Sequence, residues 1–149
     1  MDAKPHPLNI TQVYMPTTTH EDEEVLDINA ELQRVVDRIP KKERLILIGD
    51  FNAQIGEGIV HPACGKFGIG ENERGDMLLD WMEDNKLIAL NTCFHHRKKQ
   101  KYTWISPDGK YKNMIDFIIT RRRDRDECLD SRSLVSADCG SDHQLVWQR

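Results

Sequence analysis

The 149-residue chain has no apolar run near the 18 or so residues that a membrane-spanning helix needs, so no membrane partner is expected. Met1 to Pro7 carries no apolar core, so no secretory signal is expected either. Aromatic residues are scarce, at 7%. There is no internal repeat, no low-complexity tract and no Gly/Ser linker, which points to a single domain over residues 1–149. The four cysteines, Cys64, Cys93, Cys128 and Cys139, contain no C-x-x-C pair. Such thiols are expected to stay reduced, in an intracellular setting.

Neither sign of charge dominates: the net charge is −4, with 31% charged residues. The charges are segregated, however. Glu21–Glu24 is an acidic run, whereas Arg97-Lys98-Lys99-Gln100-Lys101 and Arg121-Arg122-Arg123-Asp124-Arg125 are basic. A solvated loop and a nucleic-acid contact both fit such runs.

Leu8–Tyr14 alternates apolar and polar residues, the pattern of a strand facing one core, and Pro16 ends it. Thr17–His20 is a loop able to cap the next helix. Val25, Leu26, Ile28, Leu32, Val35, Val36 and Ile39 recur at helical spacing over Glu21–Ile39, which Pro40 stops. Leu45–Ile48 is an unbroken apolar run, as in a strand buried on both faces. Gly56, Gly58, Gly65, Gly68 and Gly70 make the segment from Ile55 to Glu71 a long irregular loop. A second helix is expected over Gly75–Lys86 and a strand at Ile88–Leu90. Tyr102–Ile105 reads as a strand turning at Ser106–Gly109, with Met114–Ile119 as its hairpin partner. Leu129–Ala137 and Gln144–Trp147 read as edge strands. The order implies an α+β domain: a mixed, mostly antiparallel β-sheet with helices on one face.

Three polar clusters follow or interrupt apolar runs: Asp50-Phe51-Asn52, Asp116 between Ile115 and Phe117, and Ser141-Asp142-His143. An ionised Asp between two large apolar neighbours needs a partner, and an imidazole or a cation supplies one. Carboxylates are hard oxygen ligands suited to Mg²⁺, and a histidine held by an acid acts on protons near neutral pH. Each cluster alone is as readily a turn or a cap. A zinc site from His61-x-x-Cys64 and Cys93-x-His95-His96 matches no standard spacing, so ordinary loop histidines and buried thiols are expected.

The set as a whole resembles the C-terminal half of the endonuclease/exonuclease/phosphatase superfamily, the deoxyribonuclease I-like fold. Nearest in look are the apurinic-like endonuclease domains of non-long-terminal-repeat retrotransposons. The motifs are Val13-Tyr14-Met15-Pro16, Ile48-Gly49-Asp50-Phe51-Asn52-Ala53, Asn91-Thr92-Cys93-Phe94, Tyr102-Thr103-Trp104, Ile115-Asp116-Phe117-Ile118 and Ser141-Asp142-His143-Gln144-Leu145-Val146. The resemblance implies one half of a four-layer α/β/β/α sandwich and phosphodiester hydrolysis of DNA with Mg²⁺ (or Mn²⁺), leaving a 3′-hydroxyl, in the nucleus. It implies that Asp50 activates water, Asn52 holds that water or a phosphate oxygen, and Tyr14 contacts the scissile phosphate. Asp142 would be a metal ligand, and Asp116 would fix the tautomer of His143. Asn91 would shape the pocket wall; Trp104 reads either as core or, from its Tyr-Thr-Trp hairpin, as a pocket residue within reach of DNA. Arg97, Lys98, Lys99, Lys101, Arg121, Arg122 and Arg123 become DNA-contact candidates.

The chain departs from that pattern in lacking the superfamily's N-terminal half, with its metal-binding Glu. One face of the sheet is therefore expected to lie open unless the missing half or another chain covers it. A silent binding module, or a phosphodiesterase acting on RNA or a small molecule, are the alternatives.

Overall fold

β1 (Leu8–Tyr14) and β2 (Arg44–Asp50) run parallel, joined through helix α1 (Asp22–Arg38). This computed structural model describes residues 7–17, 22–135, 137 and 140–149. Most of the capping loop expected before α1 lies outside them, as does Cys139. Helix α2 (Glu73–Asp84) leads into the short strand β3 (Leu87–Ala89). A hairpin of β4 (Trp104–Ile105) and β5 (Lys112–Asn113) precedes β6 (Asp116–Arg121), and β7 (Ser131–Leu134) pairs with β8 (Leu145–Gln148).

The main sheet has the order β1-β2-β6-β3, with β6 antiparallel to both of its neighbours. Two expectations change here. Tyr102–Ile105 does not pair with Met114–Ile119: the tight turn at Ser106–Gly109 folds the chain back at once, so Trp104 meets Asn113. The Ile- and Phe-rich strand instead takes the centre of the sheet, where both of its edges are bonded. The two expected edge strands near the C-terminus pair with each other rather than with the main sheet. α2 also starts earlier than Gly75, because Asn72 caps it: its side-chain oxygen accepts the Gly75 N–H at 2.8 Å.

The helices cover one face. Val25, Leu32 and Val36 of α1 and Leu79 and Met82 of α2 pack on Val13, Leu45, Leu47, Phe117 and Ile119. The other face is only half covered. Ile88 and Ile118 are buried with Cys128, against Val146 of β8. Leu8 (52% exposed), Ile10 (61%) and Ile48 (37%) stay open on the same side of β1 and β2. Leu45–Ile48 is thus not buried on both faces: Leu45 and Leu47 are, while Ile48 is exposed.

Strand directions fix where polar groups can gather. The C-terminal ends of β1 and β2 lie beside the N-terminal end of β6, so Tyr14 stands opposite Asp50 and Asp50 opposite Asp116. The far end of β6 lies by the C-termini of the helices. Arg121 is buried there and donates to the main-chain carbonyls of Glu43 (3.0 Å), Ile39 (3.2 Å) and Pro40 (3.4 Å).

Gly49 makes the close approach before Asp50 possible. A Cβ at this position would sit 1.8 Å from the Val13 carbonyl oxygen, and its φ of +145° disfavours any side chain. Gly49→Ala is therefore expected to lower stability by about 3 kcal/mol in chemical denaturation. A change below about 0.5 kcal/mol, the usual range for surface substitutions, would contradict that close packing.

Candidate active site

At the shared strand end a polar cleft of about 340 Å³ is lined by Tyr14, Thr17, Asp50, Asn52, Gln54, Asn72, Trp104, Asn113, Ile115 and His143. Main-chain bonds build its floor. Met15 N–H donates to the Asp50 carbonyl (2.8 Å), and Phe51 N–H donates to the Ile115 carbonyl (2.9 Å). Beyond Asp50 the chain turns sharply. Asn52 takes a left-handed φ of 47°, a conformation that Asn tolerates better than most residues. Its N–H donates to Asp50 Oδ1 at 2.8 Å, and its Nδ2 donates to the Met15 carbonyl at 2.7 Å.

His143 Nδ1 lies 3.0 Å from Asp116 Oδ2 and 3.2 Å from Oδ1. Its Nε2 lies 4.0 Å from Asp50 Oδ2. Asp50, Asp116 and His143 each place a donor atom within 4.8 Å of the others, and no other such group of three occurs among the described residues. Burial holds the Asp50 carboxyl above the usual range, against the Asn52 N–H bond, which lowers it; Asp116 adds to the rise.

Asp142 stands beside this group rather than in it. It is exposed, and its Oδ2 accepts the Trp104 indole N–H at 2.8 Å, the main reason its carboxyl sits below the usual range. Asn91 is not on the cleft wall. It is 3% exposed and braces β6 from behind, its Nδ2 donating to the Asp116 carbonyl (3.0 Å) and its Oδ1 accepting the Ile118 N–H (3.2 Å). The zinc-type residues do not gather. His61 bonds Glu83 at 3.0 Å and His96 bonds Asp130 at 2.6 Å, while burial pushes the Cys64 thiol up to about 11.

The basic residues divide sharply. Arg97, Lys98 and Lys99 are exposed on a turn a few residues before Trp104. Lys101 is not a surface cation: it is 5% exposed, with Nζ 3.2 Å from Glu57. Arg121 is likewise spent on carbonyls; it ends β6, and Arg122 and Arg123 follow it, at the end opposite the cleft. Their sequence position after the Asp116 strand hid this, because an antiparallel strand carries its two ends to opposite rims. Gln54, Asn72 and Asn113 line the cleft unanticipated; a hydrophobic-pattern reading carries no signal for polar loop residues.

Since ionised Asp50 is penalised in the folded chain, Asp50→Asn is expected to raise the thermal midpoint by a few degrees at pH 7 in metal-free buffer. The folded chain binds that proton more tightly than the unfolded one, so wild-type stability falls as pH rises from the ordinary value of 3.8 through the raised one. The advantage of the Asn variant should therefore vanish below pH 3.8.

The Neisseria meningitidis 3′-5′ exonuclease NExo shares the fold, with a TM-score of 0.68 and 20% identity over 92% of this chain and 59% of its own. The Xenopus laevis APE2 catalytic domain gives 0.65 and 20% identity, over 93% of this chain and 49% of its own. The endonuclease domain of TRAS1, a telomere-specific non-LTR retrotransposon, gives 0.58 and 20% identity, over 83% and 50%. Two curated proteins called Craniofacial development protein 2, from Bos taurus and Tragulus javanicus, are 40% identical over 97% of the chain. The chain spans only 24% and 25% of their lengths. The three solved structures are deoxyribonuclease I-like folds of the endonuclease/exonuclease/phosphatase type, and residues 8–147 match the endonuclease-reverse transcriptase family, to which this chain belongs.

Proposed function

We propose that the chain is the C-terminal half of a divalent-cation-dependent phosphodiesterase that cuts the DNA backbone in the nucleus, with water as nucleophile and a 3′-hydroxyl product. The observation that carries this reading is the cleft in which Asp50, Asp116 and His143 converge within 4.8 Å. Phosphoryl transfer depends mainly on positioning and charge stabilisation, and this cleft offers both. The names of the relatives, endonuclease and exonuclease, support the same class of bond.

The donor set fits a hard cation: carboxylate oxygens at Asp50 and Asp116, with Asp142 close enough to raise the Asp50 carboxyl. Mg²⁺ or Mn²⁺ bound there would supply neutralisation of charge developing on phosphate oxygens. The chain's own groups do the remaining work. Asp50, its Oδ1 fixed by the Asn52 N–H, is placed to orient the attacking water. Asp116 holds Nδ1 of His143, leaving Nε2 toward the cleft to donate to a phosphate oxygen when the ring is protonated. Asn52 fixes the Asp50 carboxylate, and the exposed Tyr14 ring at the mouth is free to meet the substrate.

Arg97, Lys98 and Lys99 add salt-dependent, sequence-independent affinity for the DNA backbone. The open strip of Leu8, Ile10 and Ile48 is where an N-terminal half packs, in keeping with a chain that spans about half of the solved structures it matches.

The test is nicking of supercoiled plasmid in Mg²⁺, with the upstream half of the fold supplied in trans. His143→Ala is expected to lose about 10²–10⁴-fold in rate, the usual contribution of a positioned proton donor. Equal nicking by wild type and variant overturns the assignment, and a preference for RNA or a phosphorylated small molecule moves the substrate. The triple change of Arg97, Lys98 and Lys99 to Ala should flatten the salt dependence of DNA binding by up to about 0.9 in slope per lost phosphate contact. Arg121→Ala should leave that slope unchanged and lower stability by about 2 kcal/mol, as its buried hydrogen bonds are lost.

A further inference from the structure

Thr103 lies behind the cleft. Its residue is 1% exposed and does not line the cavity, yet both members of the His143–Asp116 pair hang from it. Its Oγ1 accepts the main-chain N–H groups of Ile115 at 2.9 Å and Asp116 at 3.0 Å, where the chain enters β6. Its carbonyl accepts the Gln144 N–H at 2.7 Å, and Ile105 N–H donates to the Asp142 carbonyl at 3.0 Å, so the 103–105 segment grips the backbone on either side of His143. Its own N–H donates to the Asn113 carbonyl at 2.9 Å, tying in the hairpin that also lines the cleft.

We infer that Thr103 is a positioning residue that sets the separation and alignment of the Asp116 carboxylate and the His143 imidazole. Asp116 opens β6, whereas His143 lies ahead of β8, bridged to Trp104. The side chain of Thr103 fixes the first and its main chain fixes the second. A buried hydroxyl oxygen that accepts two amides cannot be replaced by a hydrocarbon without leaving both amides unpaired, and they then move to find partners. Because Asp116 carries one of those amides, its side chain moves with them. A serine keeps the oxygen and loses only a methyl group.

The consequence for rate rests on the phosphodiesterase reading above; the consequence for geometry does not. The experiment therefore has two readouts on the 149-residue chain: the downfield proton resonance of His143 Nδ1–H bonded to Asp116, and plasmid nicking with the upstream half in trans. Thr103→Val is expected to abolish the resonance and to reduce kcat by about 100-fold with little change in KM, the scale of a displacement near 1 Å. Thr103→Ser is expected to retain both. Should the valine variant not fold, Thr103→Ala, which adds no bulk, carries the same expectation. A wild-type resonance in the valine or alanine variant overturns the inference, as does a serine variant as impaired as valine. If no protein nicks DNA, wild type included, the enzymatic reading fails, while the resonance still decides the role of Thr103.

Discussion

Two carboxylates stand directly opposite one another on neighbouring strands, and the architecture of this end of the molecule answers to that fact. Asp50 and Asp116 form a cross-strand pair at the meeting point of β2 and β6, where like charges repel. The His143 imidazole against Asp116 and the Asn52 N–H against Asp50 hold the arrangement together. Burial raises the Asp50 carboxyl, and the facing Asp116 adds to the rise. Strain of this kind persists where the surrounding fold over-determines the geometry. Here Gly49, the left-handed Asn52 turn and the Asn91 brace behind β6 do so.

The sheet that carries the pair is unevenly clothed. Its helix side is a continuous core, while on its other side the described residues, among them Val146 and Cys128, cover Ile88 and Ile118 and leave Leu8 and Ile10 open. The open strip begins at Leu8 and ends at Tyr14, at the rim of the cleft itself. Tyr14 thus belongs both to the open side of β1 and to the rim of the cleft.

Much of this was legible in the sequence, for identifiable reasons. The Leu8–Tyr14 alternation and the helical recurrence from Val25 to Val36 are signals from burial on one side, and they yield β1 and α1 nearly to the residue. Asp50, Asn52, Asp116 and His143 were legible because polar groups at the ends of apolar runs need a reason to be there. The rest was not legible, because it depends on pairing. Nothing local in Met114–Ile119 says that it enters the middle of the sheet rather than closing a hairpin. Nothing in Arg121–Arg123 says which rim it reaches. Lys101 resembles its basic neighbours in sequence, yet it is buried beside Phe67, a difference made by the glycine-rich loop folding over it.

The pairing pattern also governs how the chain acquires its cleft. Tyr14, Asp50, Asp116 and His143 come from four separate stretches spread over most of the polypeptide, and the clasp at Thr103 joins the last two. Contacts so distant in sequence close late, after local helices and hairpins have formed. A chain cut before its last segment would thus lack the assembled acid–imidazole cluster, because the imidazole is the last of the four groups to be laid down.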